Sequence, residues 1–256
     1  MGQRRLPAFV INLADRTERL TRFQTRVQQA SFYLAQHIDD FEVKVERWPA
    51  VDTRTLAQLE SFRHQVDPKA WQTLLNSTIP TGRRQFHGDL TPGAVGCALS
   101  HVEVAQHARQ RQLPTLAVFE DDAHVLPHTF HDIYRLLAKM ECHNITWDCL
   151  LMGWSGAPPE SACVIDSQQS VDNDETIHHF QLQRVHRFWG LHAYILSASG
   201  IHKMAQLWND QRNIDTHVDH ALSRDDDFVV YGLSHNRIPQ DCKGSDIHLP
   251  VLPGQR

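Results

Sequence analysis

The chain has 256 residues, 41% of them hydrophobic and 21% charged, and its formal net charge is −5. These proportions are typical of a folded globular protein and exclude a disordered or fibrous chain. The small acidic excess and the lack of a long run of Lys and Arg argue against nucleic acid as a partner.

The cysteines and the lack of targeting signals indicate the cellular compartment of the protein. The five cysteines are scattered and form no Cys-x-x-Cys pair, which favours a reducing compartment. The first residues do not form a signal peptide, and no run approaches the roughly 20 apolar residues that a membrane-spanning helix requires. We therefore expect a cytoplasmic protein without a transmembrane segment, which leaves room for peripheral contact with the inner face of a membrane.

The first part of the chain predicts a strand, a helix and a second strand. An apolar run at 8–13 predicts the first strand, and apolar residues at helical spacing after Asp15 predict the helix. Alternating apolar and charged residues over 41–52 predict a half-buried strand. Residues 53–92 contain only short helical pieces, and we treat them as a loop or insertion region.

The rest of the chain continues this alternation. The predicted elements are a helix at 93–112, a strand at 116–122, a helix at 128–140, strands at 147–153, 178–188 and 192–197, helices at 197–210 and 215–224, and a strand at 227–233. Residues 154–180 are predicted to form a second loop or insertion region. Strands alternating with helices indicate an α/β fold, a three-layer α/β/α sandwich with a mostly parallel central sheet, in one domain over 1–256.

Three consecutive acids, Glu120, Asp121 and Asp122, end the apolar strand; we call them the acidic rim. Neighbouring like charges repel, and partial burial makes their ionisation more costly, so a strand normally avoids such an end. A divalent cation resolves the conflict, because carboxylate oxygens suit Mg2+ or Mn2+ and these ions bind substrate phosphates. In α/β sheets ligands bind beyond the carboxyl ends of strands, where the acidic rim falls. A solvated loop after the strand explains the acids equally well.

Seven short strings along the chain form one pattern. They are VINLADRTERL (10–20), AVD (50–52), GAVGCALSH (93–101), AVFEDDA (117–123), WGLHAYILS (189–197), HVDHAL (217–222) and GSDI (244–247). In this order and spacing the chain resembles glycosyltransferase family 25, which contains lipooligosaccharide galactosyltransferases and collagen hydroxylysine galactosyltransferases. The two loop or insertion regions carry none of these strings.

The resemblance implies a GT-A-like fold, a UDP-sugar as donor and Mn2+ or Mg2+ as cofactor. We expect Asp122 to bind the metal, with Asp121 and His248 as further ligands. In an extended segment Glu120 and Asp122 project to one side and Asp121 to the other, so the acids can divide metal, ribose and donor sugar among themselves.

The resemblance also implies donor contacts on two other elements. Asn12, Arg16 and Arg19 follow the first strand, and the arginines are expected near phosphate or base, although a solvated helix face accounts for them equally. Ser100 and His101 match the Ser-His pair of the family on the helix before the acidic rim. A single histidine on such a helix is otherwise a hydrogen-bonded structural residue.

Asp219 is our candidate general base, because it matches the family's Val-Asp pair and an inverting transfer needs a group that accepts the acceptor hydroxyl's proton. The alternative is a carboxylate that stabilises a helix N-terminus. Trp189 and Gly190 are expected beneath a sugar, since an aromatic face suits a hexose and glycine permits close approach. Leu191 replaces the small hydroxyl residue that is frequent in the family, so the acceptor's identity stays open.

The sequence thus predicts an enzyme, a metal-dependent hexosyltransferase. It would move galactose or glucose from a UDP-sugar to a hydroxyl of a saccharide, lipooligosaccharide or hydroxylysine acceptor. One alternative is a metal-dependent phosphoesterase, which normally needs two metals and hence a second acidic cluster, for which 224–227 is the only candidate. The other is a non-catalytic sugar-binding protein on a transferase fold.

Overall fold

A computed structural model describes residues 4–77, 90–155, 163–166, 181–209, 212–233 and 238–241. The strands of this described part are β1 (Arg4–Asn12), β2 (Phe41–Pro49), β3 (Thr115–Glu120), β4 (Cys149–Ser155), β5 (Cys163–Asp166), β6 (Gln181–Arg184), β7 (Trp189–Ser197) and β8 (Val230–Leu233). Its helices are α1 (Thr17–His37), α2 (Leu56–Ser61), α3 (Pro68–Ser77), α4 (Pro92–Gln110), α5 (Thr129–Cys142), α6 (Ala198–Met204) and α7 (Val218–Ser223), with a 3-10 turn at Arg63–Gln65.

The strands form one sheet in the order β2-β1-β3-β7-β4-β8-β6-β5. Strands β1 to β5 and β8 run in one direction, and β6 and β7 run in the other. Because β7 lies between β3 and β4, and β6 between β8 and β5, only three of the seven described pairings are parallel.

Helices cover both faces of the sheet, and the period-2 alternation of the strands divides the core in two. On β3, Leu116 and Val118 pack into a core with α4, whereas Ala117 and Phe119 pack into a second core with α1 and α5. Phe119 is fully buried, and burying such a side chain contributes roughly 1.5–3 kcal/mol. Burial on both faces explains why this strand is apolar throughout.

The α/β architecture with a GT-A-like, three-layer arrangement is confirmed. Most strands of the sheet run in the same direction. Most neighbouring pairs are nevertheless antiparallel, because the two reversed strands lie between other strands rather than at an edge. The sequence predicts which segments are strands, but strand order depends on contacts between distant segments. The single-domain expectation stays a prediction.

The two predicted loop or insertion regions contain short regular elements, in keeping with the short helical pieces expected in 53–92. Within 154–180, Cys163–Asp166 forms β5, antiparallel to β6. A strand of four residues in a polar segment has too few positions to display alternation. Within 53–92, α2 and α3 form, while 78–89 lie outside the described residues.

None of the helices in the described ranges combines the length and apolar character needed to cross a membrane. The cytoplasmic location stays a prediction.

One edge of the sheet gathers the candidate site residues. β1 ends at Asn12, and its parallel neighbour β3 ends at Glu120. Phe119 pairs with Ala193 in the antiparallel register, so the start of β7, from Trp189 on, lies beside the acidic rim. Segments that are distant in the sequence therefore meet at this edge.

Candidate active site

Asp121 is held in place by Asn12 and Arg19, two residues that were predicted to bind the sugar donor. The side-chain amide of Asn12 donates to Asp121 Oδ2 at 2.7 Å, and Arg19 Nη1 lies 3.3 Å from Asp121 Oδ1. Burial raises the pKa of Asp121, although Asn12 and Arg19 oppose the shift. Arg47 Nε donates to Asn12 Oδ1 at 2.9 Å and fixes the amide's orientation. Since both Asp121 oxygens already have partners, its predicted role as metal ligand gains no support.

Asp122 has the opposite environment. Its side chain is buried, Oδ2 accepts a hydrogen bond from Gln240 Nε2 at 3.0 Å, and Oδ1 has no hydrogen-bond partner among the described residues. Burial and the adjacent charge of Glu120 raise the pKa of Asp122 to about 7. A buried carboxylate oxygen without a partner is costly, and a cation is the ligand that would relieve this cost.

Glu120 contacts helix α4 on the other side. Its Oε1 lies 3.3 Å from His101 Nε2 and 3.7 Å from Cys97 Sγ. Burial opposes ionisation, but the hydrogen bond and charge of His101 outweigh it and lower the pKa of Glu120. Burial and the negative charges of Glu120 and Asp219 raise the pKa of the Cys97 thiol, so both carboxylates lie close enough to Cys97 to affect its ionisation.

Helix α4 presents these residues because its start is well defined. Thr91 Oγ1 accepts from the Ala94 backbone N–H at 3.1 Å, and Pro92 occupies the first helical turn. Cys97 and His101 are four residues apart and therefore share one face. The i, i+4 spacing of a thiol and an imidazole was a signal in the sequence that our prediction did not use.

Ser100 and His101 lie at the predicted edge, but they serve structural contacts. Ser100 Oγ accepts from the Val51 N–H at 2.8 Å and donates to Gly96 O at 2.6 Å. His101 is 1% exposed, and its Nδ1 lies 2.8 Å from the Tyr194 hydroxyl. Tyr194 is thus a further residue of the site, from the distant strand β7. Direct donor contact by Ser100 or His101 stays a prediction.

Asp219, on helix α7, contacts the start of β7 and lies within electrostatic reach of Cys97. Its Oδ2 accepts from the Gly190 N–H at 2.7 Å, and its Oδ1 accepts from the His220 N–H at 2.9 Å. Gly190 has φ 76°, a conformation that a residue with a side chain adopts at a cost. Trp189 beside it is 51% exposed, so its ring is available to a ligand. Asp219, the predicted base, therefore lies next to Trp189 and Gly190, which are predicted to lie beneath a sugar.

A cleft runs from the acidic rim to helix α4 and to the loop after β2. Arg19, Cys97 and the acidic rim line it, together with Asp52 and Arg54, which the sequence analysis had not singled out. Arg54 forms ion pairs with both Asp52 and Asp15. Arg16 is absent from this lining, and its backbone oxygen accepts from the Asn12 amide at 3.1 Å. His248 lies outside the described residues, so its predicted role as metal ligand stays untested.

The Asp122 carboxylate is of the ligand type that a hard divalent cation takes, although it does not group with two further ligand atoms among the described residues. Its Oδ1 is buried and has no partner among the described residues, and a bound cation would offset the burial and the Glu120 charge that raise its pKa. Carboxylate oxygens are ligands that Mg2+ and Mn2+ accept readily.

A second acidic centre, which a phosphoesterase would require, does not form among the described residues. At 224–227, Asp225 Oδ1 accepts from the Asp227 N–H, and these aspartates do not converge with other ligands. Only Cys97, His101 and Glu120 bring three potential ligand atoms within 4.8 Å of one another in the part of the chain that the structure describes.

Comparisons with known proteins find relatives of the chain among glycosyltransferase 25 family members. The chain is 27% identical over 197 residues to "Probable inactive glycosyltransferase 25 family member 3" of Bos taurus, which covers 77% of this chain and 28% of that protein. It is 30% identical over 109 residues to "Procollagen galactosyltransferase 1-A" of Xenopus laevis, which covers 39% of this chain and 18% of that protein. A "Glycosyltransferase 25 family member" of Anopheles gambiae is 25% identical over 198 residues.

The chain spans about 28% of the length of the first of these relatives. The model of the family described as "Glycosyltransferase family 25 (LPS biosynthesis protein)" matches residues 5–222, which include β1, the acidic rim, β7 and α7. The order of strings in the sequence, the fold and this match agree, and the chain belongs to glycosyltransferase family 25.

Proposed function

We propose that this protein is a metal-dependent hexosyltransferase that uses a UDP-sugar. The observation that carries the proposal is the buried, unpartnered Asp122 oxygen, at the same sheet edge as Asp219 and Trp189. Asp122 lines the cleft at the acidic rim, and Trp189 lines a second cavity with His220, the neighbour of Asp219. The fold alone would not support a function, because one fold hosts many activities.

Asp122 would hold Mn2+ or Mg2+ through the oxygen that has no partner. A divalent cation, when bound, supplies charge neutralisation for the departing diphosphate. Asp121, fixed by Asn12 and Arg19, would orient the donor's ribose or sugar rather than the metal. Arg19 also lines the cleft and keeps its guanidinium near the position proposed for the phosphates.

Asp219 would accept the proton of the acceptor hydroxyl as that oxygen attacks the anomeric carbon. Two backbone N–H groups, of Gly190 and His220, hold its carboxylate oriented, and each oxygen keeps a lone pair for the acceptor. Trp189 would support the apolar face of a sugar.

The donor sugar is proposed to be galactose or glucose, and the acceptor a saccharide, a lipooligosaccharide or a hydroxylysine. The printed name of the Xenopus laevis relative supports galactose, and the family description supports a lipopolysaccharide-type acceptor. The name of the Bos taurus relative, which contains the word inactive, favours a second candidate, a sugar-binding protein without turnover.

Incubation with UDP-galactose or UDP-glucose and Mn2+, with detection of released UDP, tests the proposal. Turnover that is lost in Asp122→Asn and retained in Glu141→Gln, a control at an exposed ion pair, is the expected result. Metal-dependent UDP binding without turnover of any donor and acceptor tested would favour the sugar-binding protein. Cleavage of simple phosphoesters by the wild type, without sugar transfer, would contradict both the hexosyltransferase and the sugar-binding protein.

A further inference from the structure

Three side chains of different chemistry converge at the floor of the cleft, outside the Asp122 position. They are the thiol of Cys97, the Nε2 of His101 and the Oε1 of Glu120, and their ligand atoms all lie within 4.8 Å of one another. The family assignment and the proposed transfer leave Cys97 without a role. We call this group the thiol cluster.

Two of the distances within the thiol cluster match those around a tetrahedral ion. Zinc bonds of about 2.3 Å to sulfur and about 2.0–2.1 Å to nitrogen and oxygen place nitrogen and oxygen about 3.3 Å apart, and sulfur and oxygen about 3.5 Å apart. The observed separations are 3.3 Å between His101 Nε2 and Glu120 Oε1, and 3.7 Å between Cys97 Sγ and Glu120 Oε1. The third separation, between Cys97 Sγ and His101 Nε2, is within 4.8 Å.

The other nitrogen of His101 already has the partner that a metal-binding histidine needs. Its Nδ1 lies 2.8 Å from the Tyr194 hydroxyl, and this contact fixes the ring so that Nε2 faces Cys97 and Glu120. Ligating histidines commonly use their second nitrogen in this way. All three residues line the cleft, so a fourth coordination position would face it.

The ligand types select a different ion from the one proposed at Asp122. A thiolate with an imidazole and one carboxylate suits Zn2+, whereas Mn2+ and Mg2+ prefer oxygen ligands. We propose that Cys97, His101 and Glu120 form a Zn2+ site, separate from the cation site at Asp122, with its open position towards the cleft.

Zinc binding releases the thiol proton of Cys97 and, where it is present, the proton on His101 Nε2. The Cys97 thiol loses its proton to solvent, and Glu120 binds as carboxylate. His101 binds through Nε2 as the tautomer with its proton on Nδ1, and the Tyr194 hydroxyl accepts that hydrogen bond. Provided the proposed transfer function holds, zinc would restrain Glu120 and inhibit transfer rather than replace Mn2+.

Cobalt substitution tests the site without relying on transfer. Metal-stripped protein titrated with Co2+ should develop a thiolate-to-cobalt charge-transfer band that one equivalent of Zn2+ removes. Cys97→Ser should abolish the band, and Cys149→Ser, which alters another buried cysteine, should keep it. Asp122→Asn should also keep it. Tyr194→Phe should weaken zinc affinity about 10–100-fold.

X-ray absorption of the wild type with one equivalent of Zn2+ supplies a test that needs no variant. One sulfur with nitrogen and oxygen neighbours is expected. A shell of oxygen and nitrogen alone, or a cobalt band that survives Cys97→Ser, would overturn the site. Loss of the cobalt band in Asp122→Asn would show that the zinc site is not separate from the cation site at Asp122.

Discussion

Asp122→Asn is predicted to stabilise the metal-free protein at pH 8 while it abolishes transfer. The Asp122 pKa is raised above its ordinary value of 3.8, to about 7, so the folded state binds the proton more tightly than the unfolded state. Between these two pKa values the folded protein therefore loses stability as the pH rises. Above pH 7 the cost of the buried charge is complete, and asparagine removes it without changing the side chain's size.

The magnitude follows from the two pKa values. At roughly 1.36 kcal/mol for each tenfold change in the dissociation constant, a pKa of about 7 instead of 3.8 corresponds to an upper limit of about 4 kcal/mol. For a chain of this size 1 kcal/mol changes Tm by about 2–4 °C, so the limit is an increase of roughly 8–16 °C. Gln240 remains able to donate to the asparagine oxygen, so that contact is retained.

Thermal unfolding of the wild type and Asp122→Asn, with chelator at pH 5 and pH 8, measures this effect. The difference in Tm should be larger at pH 8. Mn2+ should then stabilise the wild type by mass action and leave the variant unaffected. Asp148→Asn is the matched control, because Asp148 is equally buried but Lys203 lowers its pKa against the effect of burial. That variant should lose stability at pH 8.

The reasoning would be refuted by an Asp122→Asn variant with the same or a lower Tm than the wild type at pH 8. Equal stabilisation of both proteins by Mn2+ would separately remove Asp122 from the metal site.

Three further predictions concern other residues of the edge. Asp219→Asn should lower kcat by at least 100-fold and leave donor KM nearly unchanged in steady-state assays; a change in KM alone would move Asp219 to donor binding. Asn12→Ala should remove the donor to Asp121 and destabilise the fold by about 1–3 kcal/mol in urea titrations, whereas an unchanged midpoint would contradict the hydrogen-bond assignment. Gly96→Ala should destabilise by about 1–3 kcal/mol in the same titrations, because its Cβ would lie 2.5 Å from Val51 O and from Thr53 Oγ1; wild-type stability would show that this approach is not rigid.

Local patterns in the sequence were sufficient for most elements and for the position of the acidic rim. Alternation in 41–52 predicted β2, and the apolar run before Glu120 predicted β3, because burial on one or both faces determines these patterns. The rule that ligands lie beyond the carboxyl ends of strands placed the candidate site at the edge where Asn12 and the acidic rim meet.

The partners within the site could not be predicted, because they come from distant segments. Tyr194 contacts His101 across 93 residues, and Gln240 contacts Asp122 across 118 residues. Asp121 could be recognised in the sequence as an acid. Its contacts with Asn12 and Arg19 depend on the packing of β1 beside β3. A single sequence does not specify such contacts.

Calorimetric titration of UDP into the wild type, with and without Mn2+, tests the central claim most directly. UDP should bind when Mn2+ is present, and binding should be lost both with chelator and in Asp122→Asn. UDP binding of equal affinity without a divalent cation, or in Asp122→Asn, would contradict a cation that joins the acidic rim to the diphosphate.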